Sequence, residues 1–446
     1  MAMIVRLTVE NYKSFLESTT LDFVAGPAKK LSGNLIRNPN KERLVKSMAL
    51  YGKNASGKTT ILDALYALKM FVVFSSQDQK PTTRIPRFEP FALNDSSSKR
   101  PARIAITFNI GSNRYTLDVA ATSERVWNES LKVQRTSKQP SRKWTSITLM
   151  DRSWDSVQKN YLTKIHPDLG TELMLAAAKE QTPPNRLMVG KLGSMNSEIA
   201  SRIIQWFDED LSFYDMHRNN NSENEALATA ARFHQQDPTF ATLLDRLSRD
   251  ADTGIRELTV DDETSFELLY SESEKKPEIN KVIKPALVFR HFTQDGSEIF
   301  FSRQQESSGT LRFIALLTAI LQPGERRRLV CIDELSASMN PVLVQRLIRI
   351  VHSKRYNPLG HQILFTTHDT HLIDPDELLR RDQIAICDKN RYGCSSVRRL
   401  DEFQDEARSD ANLQKQYLDG RFGGLPMFGP TLEDVEADEE PLEIIS

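Results

Sequence analysis

The alternation of apolar and polar positions divides the chain into strand-rich ends and a helix-rich middle. Ile4, Leu7 and Val9 form a short apolar run, and Leu21 and Phe23 alternate. MIVRLTVENYKSFLESTTLDF therefore predicts two strands joined by an Asn/Lys/Ser turn. Leu44 to Tyr51 predicts a third strand, and the spacing of Ile61, Leu62, Leu65 and Leu68 predicts a helix behind it. ARIAITFNI and RYTLDVAA flank Gly111-Ser112-Asn113 and predict a hairpin over 102–121, with strand-like pieces continuing to about Leu149.

From about 155 to 285 the period changes. SEIASRIIQWFDEDL and FATLLDRLSRDA carry helical spacing, polar loops such as RNNNSENE separate them, and no sustained heptads occur. Strand character returns near Pro285. Then come ESSGTLR with a helix, LVCIDE with a helix, and QILFTTHD with a helix, an order that predicts an α/β fold with a parallel sheet. After Gly429 the chain is acidic from Glu433 to Glu443, and reads as a solvated tail or a docking peptide.

Composition narrows the classes. The 446 residues are 39% hydrophobic and 27% charged with a net charge of −1, ordinary for a globular protein and without a global pull toward nucleic acid or membrane. Three cysteines, Cys331, Cys387 and Cys394, do not make a disulfide framework, and point to a reducing compartment. Cys387 and Cys394 flank a turn-like DKNRYG stretch, where two free thiols are expected rather than a bridge. The histidines show no spacing suited to zinc. The longest apolar run, Leu311 to Leu321, contains Arg312 and reads as a buried helix, not a membrane span. With no signal-peptide pattern at the start, the expected home is a bacterial or archaeal cytoplasm.

Four motifs carry chemistry. Gly52-Lys53-Asn54-Ala55-Ser56-Gly57-Lys58-Thr59, followed by Thr60, matches G-x-x-x-x-G-K-[ST] in full. Its glycines let backbone N–H groups converge on phosphate oxygens, and the following helix adds its positive end. Lys58 is expected on the β and γ phosphates of ATP and the Thr59 hydroxyl on Mg²⁺. Leu329 to Glu334 is an apolar strand ending in two acids. Asp333 is expected to hold Mg²⁺ through water, and Glu334 to orient the attacking water. Gln362 to Asp369 is a second such strand, with His368 placed for the γ-phosphate or that water, while His371 is expected on a helix face. Glu306-Ser307-Ser308-Gly309-Thr310-Leu311-Arg312 sets small residues at a helix start, an anion-binding surface.

In this order the motifs resemble the ABC ATPase superfamily, and within it the SMC/RecF-like branch. GKNASGKT stands for Walker A, VCIDE for Walker B and ESSGT for the signature, with Ser307 and Gly309 matching its serine and glycine. Ser336–Pro341 sits where the D-loop belongs, and His368 matches the switch histidine. The long gap between Lys58 and Asp333 suits that branch. More closely, NYKSF, ESSGTLR, IDELSAS, TTHD, RRDQI and YLDGRFGGLP resemble the prokaryotic ATPases of the AAA-15 type, RloA/AbiL-like and PARIS-type, which commonly sit beside a separately encoded effector.

The resemblance implies an ABC-type ATPase head with a mixed, largely parallel P-loop sheet, an antiparallel β subdomain and a helical insertion. The expected division is 1–154, 155–285, 286–430 and an acidic tail at 431–446. It implies hydrolysis of ATP at composite sites. Ser307, Ser308, Gly309 and Thr310 of one copy would cap the nucleotide on another, in a head-to-tail homodimer or larger homo-oligomer. It also implies a separate effector, expected to be a nuclease, in antiphage defence. The chain departs from the pattern in three places. Thr310 replaces the usual Gln or Glu, the D-loop reads SASMNP, and the Q-loop glutamine is not placed, although Gln77 and Gln79 precede a Pro-rich stretch and PFAL lies near Phe91. No guanine-specific NKxD motif occurs, which favours ATP.

No nuclease is legible in the chain. The stretch after His368 is too short for a Toprim domain, and no HNH pattern occurs. Two rivals stand beside the defence reading. One is a RecF-like repair ATPase that binds DNA through Arg135, Lys138, Arg142 and Lys143 or through Arg326–Arg328, clusters that also read as solvated loops. The other is a nucleotide-gated scaffold with slow turnover.

Overall fold

The strand pattern at the amino end becomes β1 (Ala2–Glu10) and β2 (Thr19–Asp22) in the computed structural model, which describes residues 2–37, 42–77, 83–136, 144–214, 221–251, 253–270, 277–373, 378–403 and 412–425. The predicted strand Leu44–Tyr51 is two strands. The short β3 (Leu35–Arg37) pairs with β4 (Arg43–Val45), and β5 (Ser47–Tyr51) enters a different sheet. The break falls at Lys46, whose N–H donates to the Asn34 carbonyl (2.9 Å) and whose Nζ donates to that of His352 (2.8 Å).

The P-loop follows β5 and opens α1 (Lys58–Ser75); α2 (Asp95–Ser98) is a single turn capped by Asn94. The predicted hairpin is β6 (Ala102–Ile110) and β7 (Asn113–Ala121), turning at Gly111 and Ser112. It continues antiparallel into β8 (Val126–Thr136), β9 (Trp144–Asp155) and β10 (Asn160–Ile165), which with β1 and β2 form a seven-stranded sheet.

The middle of the chain holds α3 (Glu172–Gln181), α4 (Met188–Ser194), α5 (Glu198–Gln205), the short β11 (Leu211–Tyr214), α6 (Asn221–Gln236) and α7 (Pro238–Arg249). It also holds strands that the helical spacing did not announce. β12 (Glu257–Tyr270) and β13 (Pro277–Phe292) form a long antiparallel hairpin, registered from Glu257 opposite Arg290 to Tyr270 opposite Pro277, with β14 (Glu298–Phe301) on its edge. Leu258, Leu287 and Phe289 pack the base of this hairpin into the core, while Asp261, Asp262 and Glu263 beyond it are exposed, so the apolar alternation stops there.

Next come α8 (Ser308–Leu321), β15 (Leu329–Ile332), α9 (Pro341–His352) and β16 (Gln362–Thr366). The helix expected after β16 is not an α-helix in the described residues, where a 3-10 turn spans Thr370–Ile373. β17 (Ile384–Lys389), β18 (Ser395–Arg399) and α10 (Leu413–Leu418) complete the chain. Cys387 pairs in register with Val397, and all three cysteines are free. The acidic tail, Gln79, Pro426 and the cluster Lys138, Arg142 and Lys143 lie outside the described residues.

The P-loop sheet runs β11-β15-β16-β5-β17-β18, parallel except at β18. Its strands are buried on both faces, so they read as apolar runs. Met48, Leu50, Cys331 and Leu364 face a core shared with α1 and the seven-stranded sheet. Ala49, Val330, Ile332, Ile363 and Phe365 face a second core with α6, α7, α8 and α9. This three-layer packing brings every loop at the carboxyl end of the parallel strands to one edge, where α/β folds place their ligands.

Candidate nucleotide site

At that edge β5 turns through the P-loop into α1. Gly52 and Gly57 have φ of 144° and 110°, and Ala55 has φ of 60°. Room is as restrictive as dihedral angle. A Cβ on Gly52 would lie 2.2 Å from the Cys387 carbonyl oxygen, and one on Gly57 would lie 3.0 Å from the Phe15 ring. The loop is thus braced from behind by Phe15 of the NYKSF turn, by β17 and by Gly424. Tyr12, in the same turn, donates to Asp63 of α1 at 2.6 Å, and Lys13 and Arg87 pair with that carboxylate. NYKSF and YLDGRFGG, read from sequence only as marks of resemblance, are the buttress of the P-loop.

Lys58 opens α1, and its Nζ donates to the carbonyls of Gly52 (2.7 Å) and Lys53 (3.0 Å), which holds the ammonium within the loop. Burial lowers its pKa, opposed by Cys387, Asp333 and Glu334 nearby. Lys53 lies 3.7 Å from Asp388, Asn54 and Ala55 are exposed at the rim, Ser56 is buried, and Thr60 is the third residue of α1.

The expected partners from other strands converge here. Thr59 Oγ1 donates to the Asp333 carboxylate at 3.1 Å, although the two residues are 274 positions apart. Thr366, at the end of β16, donates to Asp333 Oδ1 at 2.6 Å and accepts from the Glu334 N–H at 2.8 Å. Glu334 has φ of 51°, a left-handed conformation that costs about 1–3 kcal/mol in a non-glycine residue. The surroundings fix it. Besides the Thr366 bond, the Glu334 carbonyl accepts from Ala337 N (2.9 Å) and from Arg312 Nη2 (2.7 Å), while the side chain stays exposed.

His368 is exposed at the same edge, and burial together with the Lys58 ammonium lowers its pKa against the pull of Glu334 and Asp333. On balance this favours the neutral imidazole. His371 donates its N–H to Asp369 from a 3-10 turn, not from a helix face.

Ser307 caps α8, its hydroxyl accepting from Thr310 N at 3.1 Å, and the Ser307 and Thr310 hydroxyls lie 2.7 Å apart. A Cβ on Gly309 would lie 2.4 Å from the Ser338 carbonyl oxygen, so the ESSGT and SASMNP segments touch backbone to backbone within one chain. The described hydrogen bonds of Ser307–Thr310 stay in α8 and reach none of the P-loop residues.

The hydroxyl of Thr59 and the carboxylate of Asp333 are hard oxygen donors, the kind Mg²⁺ takes from protein while phosphates and water complete its shell. Among the described residues no three His, Cys, Asp or Glu side chains converge as an all-protein metal cage. The donor set thus fits a nucleotide-borne magnesium ion.

Sequence reasoning missed two contributors. Thr366 lay in plain view as the hydroxyl ending an apolar strand, and Arg312 as the lone charge in a buried helix. The Q-loop stays unassigned: Phe91 is buried, and the carbonyl of Gln77 accepts from Arg186.

A phosphate-cradling loop between a buried strand and a helix, with an Asp-Glu pair ending a neighbouring parallel strand, defines a P-loop ATPase domain of mixed sheets and helices. The chain belongs to the family described as AAA domain, putative AbiEii toxin, type IV TA system, which matches residues 47–374, well over half its length. That span runs from the start of β5 past β16 and contains the P-loop, Ser307–Thr310, Asp333, Glu334 and His368. No curated protein matches the chain.

Proposed function

We propose that this is an ABC-type ATPase that hydrolyses ATP at composite sites between copies and so regulates a separately encoded toxic effector, expected to be a nuclease, in antiphage defence. The observation that carries the catalytic part is Glu334, an exposed carboxylate on a backbone fixed from three sides, beside the Thr59–Asp333 pair. In this reading Asp333 and Thr59 hold the magnesium ion, which neutralises phosphate charge when bound. Lys58 and the loop N–H groups bind phosphate, Glu334 takes the proton of the attacking water, and neutral His368 orients that water or the γ-phosphate.

The composite site rests on the signature. Its hydrogen bonds do not reach its own P-loop, and its helix start is built for an anion, which fits Ser307–Thr310 closing over the nucleotide of a second copy. Closure on ATP and opening after hydrolysis would pass to the effector through the middle segment, with the chain divided near 155, 285 and 430. The finer likeness to AAA-15, RloA/AbiL-like and PARIS-type ATPases, and a cytoplasmic setting, belong to the same proposal. No helix among the described residues is long and apolar enough to cross a membrane.

Glu334→Gln is expected to keep ATP binding and lose turnover by at least about a hundredfold, the scale of a lost general base. Unchanged turnover would remove Glu334 from the mechanism. Ser307→Arg in one copy of a mixed dimer is expected to silence one of two sites; full activity would remove the composite site. Turnover that stays negligible with the effector present would favour the scaffold reading. The repair reading draws less support from its named clusters: Arg135 pairs with Asp168, and Arg326 with Glu209 and Asp210.

A further inference from the structure

The turn from Ser353 to His361 joins α9 to β16 at the amino end of the parallel strands, opposite the edge that carries the P-loop. It stands as a ridge between two grooves. One, of about 570 Å³, lies against α7 and is lined by Thr239, Thr242, Leu243, Arg246, Arg355 and Tyr356, with no carboxylate. The other, of about 490 Å³, lies on the far side of Pro358 and Leu359. It carries Arg202, Arg326 and Arg327 beside Asp210 and Glu325, and its charge is balanced, since Arg202 pairs with Glu198 and Arg326 with Glu209 and Asp210.

The ridge and the groove against α7 are cationic. Lys46, Arg249, Arg327, Arg349, Lys354 and Arg355 join no ion pair among the described residues. Asp250 answers Arg246 and Arg346 between α7 and α9.

Three buried groups report the resulting field. Lys46 is lowered to about 8, His352 to about 3 and His361 to about 4. Burial is the main cause for each. The charged neighbours that add to it are all cations: Lys354 and Arg327, Lys46 and Arg349, and Arg328 and Arg327.

Cations in the last turn of a helix are ordinary, since they oppose its negative end, and that accounts for Arg246, Arg249 and Arg349. It does not account for Lys354 and Arg355, exposed beyond the end of α9, or for Arg327, which no helix carries.

We propose that this basic end binds the phosphate backbone of a nucleic acid along the Ser353–His361 ridge, with phosphates entering the groove against α7 beside Arg246, Lys354 and Arg355. The surface favours a phosphate polymer over a compact anion. It is extended and open, guanidinium forks match phosphate oxygens two at a time, and the threonine hydroxyls and half-buried Tyr356 offer partners for sugar or base. It lies away from the ATP-binding edge, so the inference does not depend on the proposed nucleotide cycle.

The test uses the full chain and fluorescein-labelled single-stranded DNA, duplex DNA and RNA of one length, followed by anisotropy between about 50 and 200 mM salt. Binding is expected to weaken linearly on a log–log plot. The double variant Lys354→Glu/Arg355→Glu should lose at least about tenfold in affinity and about two in salt slope, near 0.9 for each phosphate released. Arg246→Glu, in the groove wall, should weaken binding in the same direction, and both variants should keep basal ATP turnover. The arm with the highest affinity identifies the strand. Three results would each overturn the proposal: no binding to any strand at about 50 mM salt, equal affinity in both variants, or displacement of the strand by poly-glutamate as readily as by unlabelled nucleic acid of equal charge.

Discussion

Arg312 and Glu334 are joined by a hydrogen bond of 2.7 Å from the guanidinium to the main-chain carbonyl, with a second from Arg312 to the Asp333 carbonyl at 3.3 Å. The arginine comes from α8, and the carbonyls belong to the two acids of the site. Their cores already pack together; this bond sets the orientation of a residue held left-handed. Arg312→Ala should therefore lower kcat by roughly ten- to a hundredfold while ATP affinity changes little, because the P-loop contacts are untouched. Steady-state kinetics beside equilibrium binding of a fluorescent ATP analogue would check this. A matched loss of affinity and turnover would show only structural damage. Arg312→Lys should recover part of kcat, since one ammonium cannot reproduce the fork.

Gly309 gives a different kind of prediction. Its contact with the Ser338 carbonyl lies within the chain, so Gly309→Ala should force α8 away from the Ser336–Pro341 turn even in an isolated subunit. The expected outcome is a loss of roughly 1–3 kcal/mol by denaturant unfolding, the range for overpacking a tight contact. A variant as stable as the parent would mean that the loop gives way freely. Ser307→Arg, not Gly309→Ala, is consequently the cleaner probe of a site shared between copies.

Glu129 and Arg152 are both fully buried in the seven-stranded sheet. The carboxylate accepts from Met188 N (2.7 Å) and Val189 N (2.9 Å) at the start of α4, and the guanidinium donates to the carbonyls of Arg186, Thr182 and Pro183. α4 in turn meets α1, where a Cβ on Gly190 would lie 2.5 Å from Ser75. Glu129→Ala strands a buried cation and unpaired amides, and should cost about 3–5 kcal/mol. The urea midpoint should fall accordingly. A shift under about 1 kcal/mol would mean that water reaches Arg152.

Acid should weaken the fold through two histidines. His352 and His361 titrate near 3 and 4 when folded against an ordinary 6.5, so below pH 6.5 the unfolded chain binds protons that the folded chain refuses. Their stability contribution is complete above that value and is lost as pH falls toward 4, at roughly 1.4 kcal/mol per pH unit for each fully differential proton. His352 Nε2 and Ser47 Oγ share a hydrogen bond of 2.8 Å, and His361 accepts from Arg328 N at 3.0 Å. Melting temperatures from pH 7 to 4 for the parent and for His352→Gln should diverge in slope, the variant being flatter. Parallel curves would place the acid sensitivity elsewhere.

The site was more legible than the frame around it. The P-loop, Asp333, Glu334 and His368 stand at strand ends, where a buried apolar run stops abruptly at a polar residue, and that boundary survives in one dimension. The two-layered core was legible for the same reason, as continuous apolar strands. β12 and β13 were not, because only the base of the hairpin, at Leu258, Leu287 and Phe289, is buried, and the exposed acids Asp261 to Glu263 interrupt the period. The split at Lys46 was hidden as well: nothing local to Leu44–Tyr51 shows that the chain changes sheets where a lysine reaches the end of α9. Arg312 looked like an interruption, and its purpose exists only once α8 lies beside β15.

The bracing of the P-loop has a bearing on when the protein becomes competent. Phe15 is made before the loop, but Cys387, Ser395 and Gly424, which close on Gly52 and Gly57, emerge from the ribosome hundreds of residues after it. Contacts of such separation form late. A half-synthesised chain therefore carries the phosphate-binding motif in full and lacks the walls that shape it.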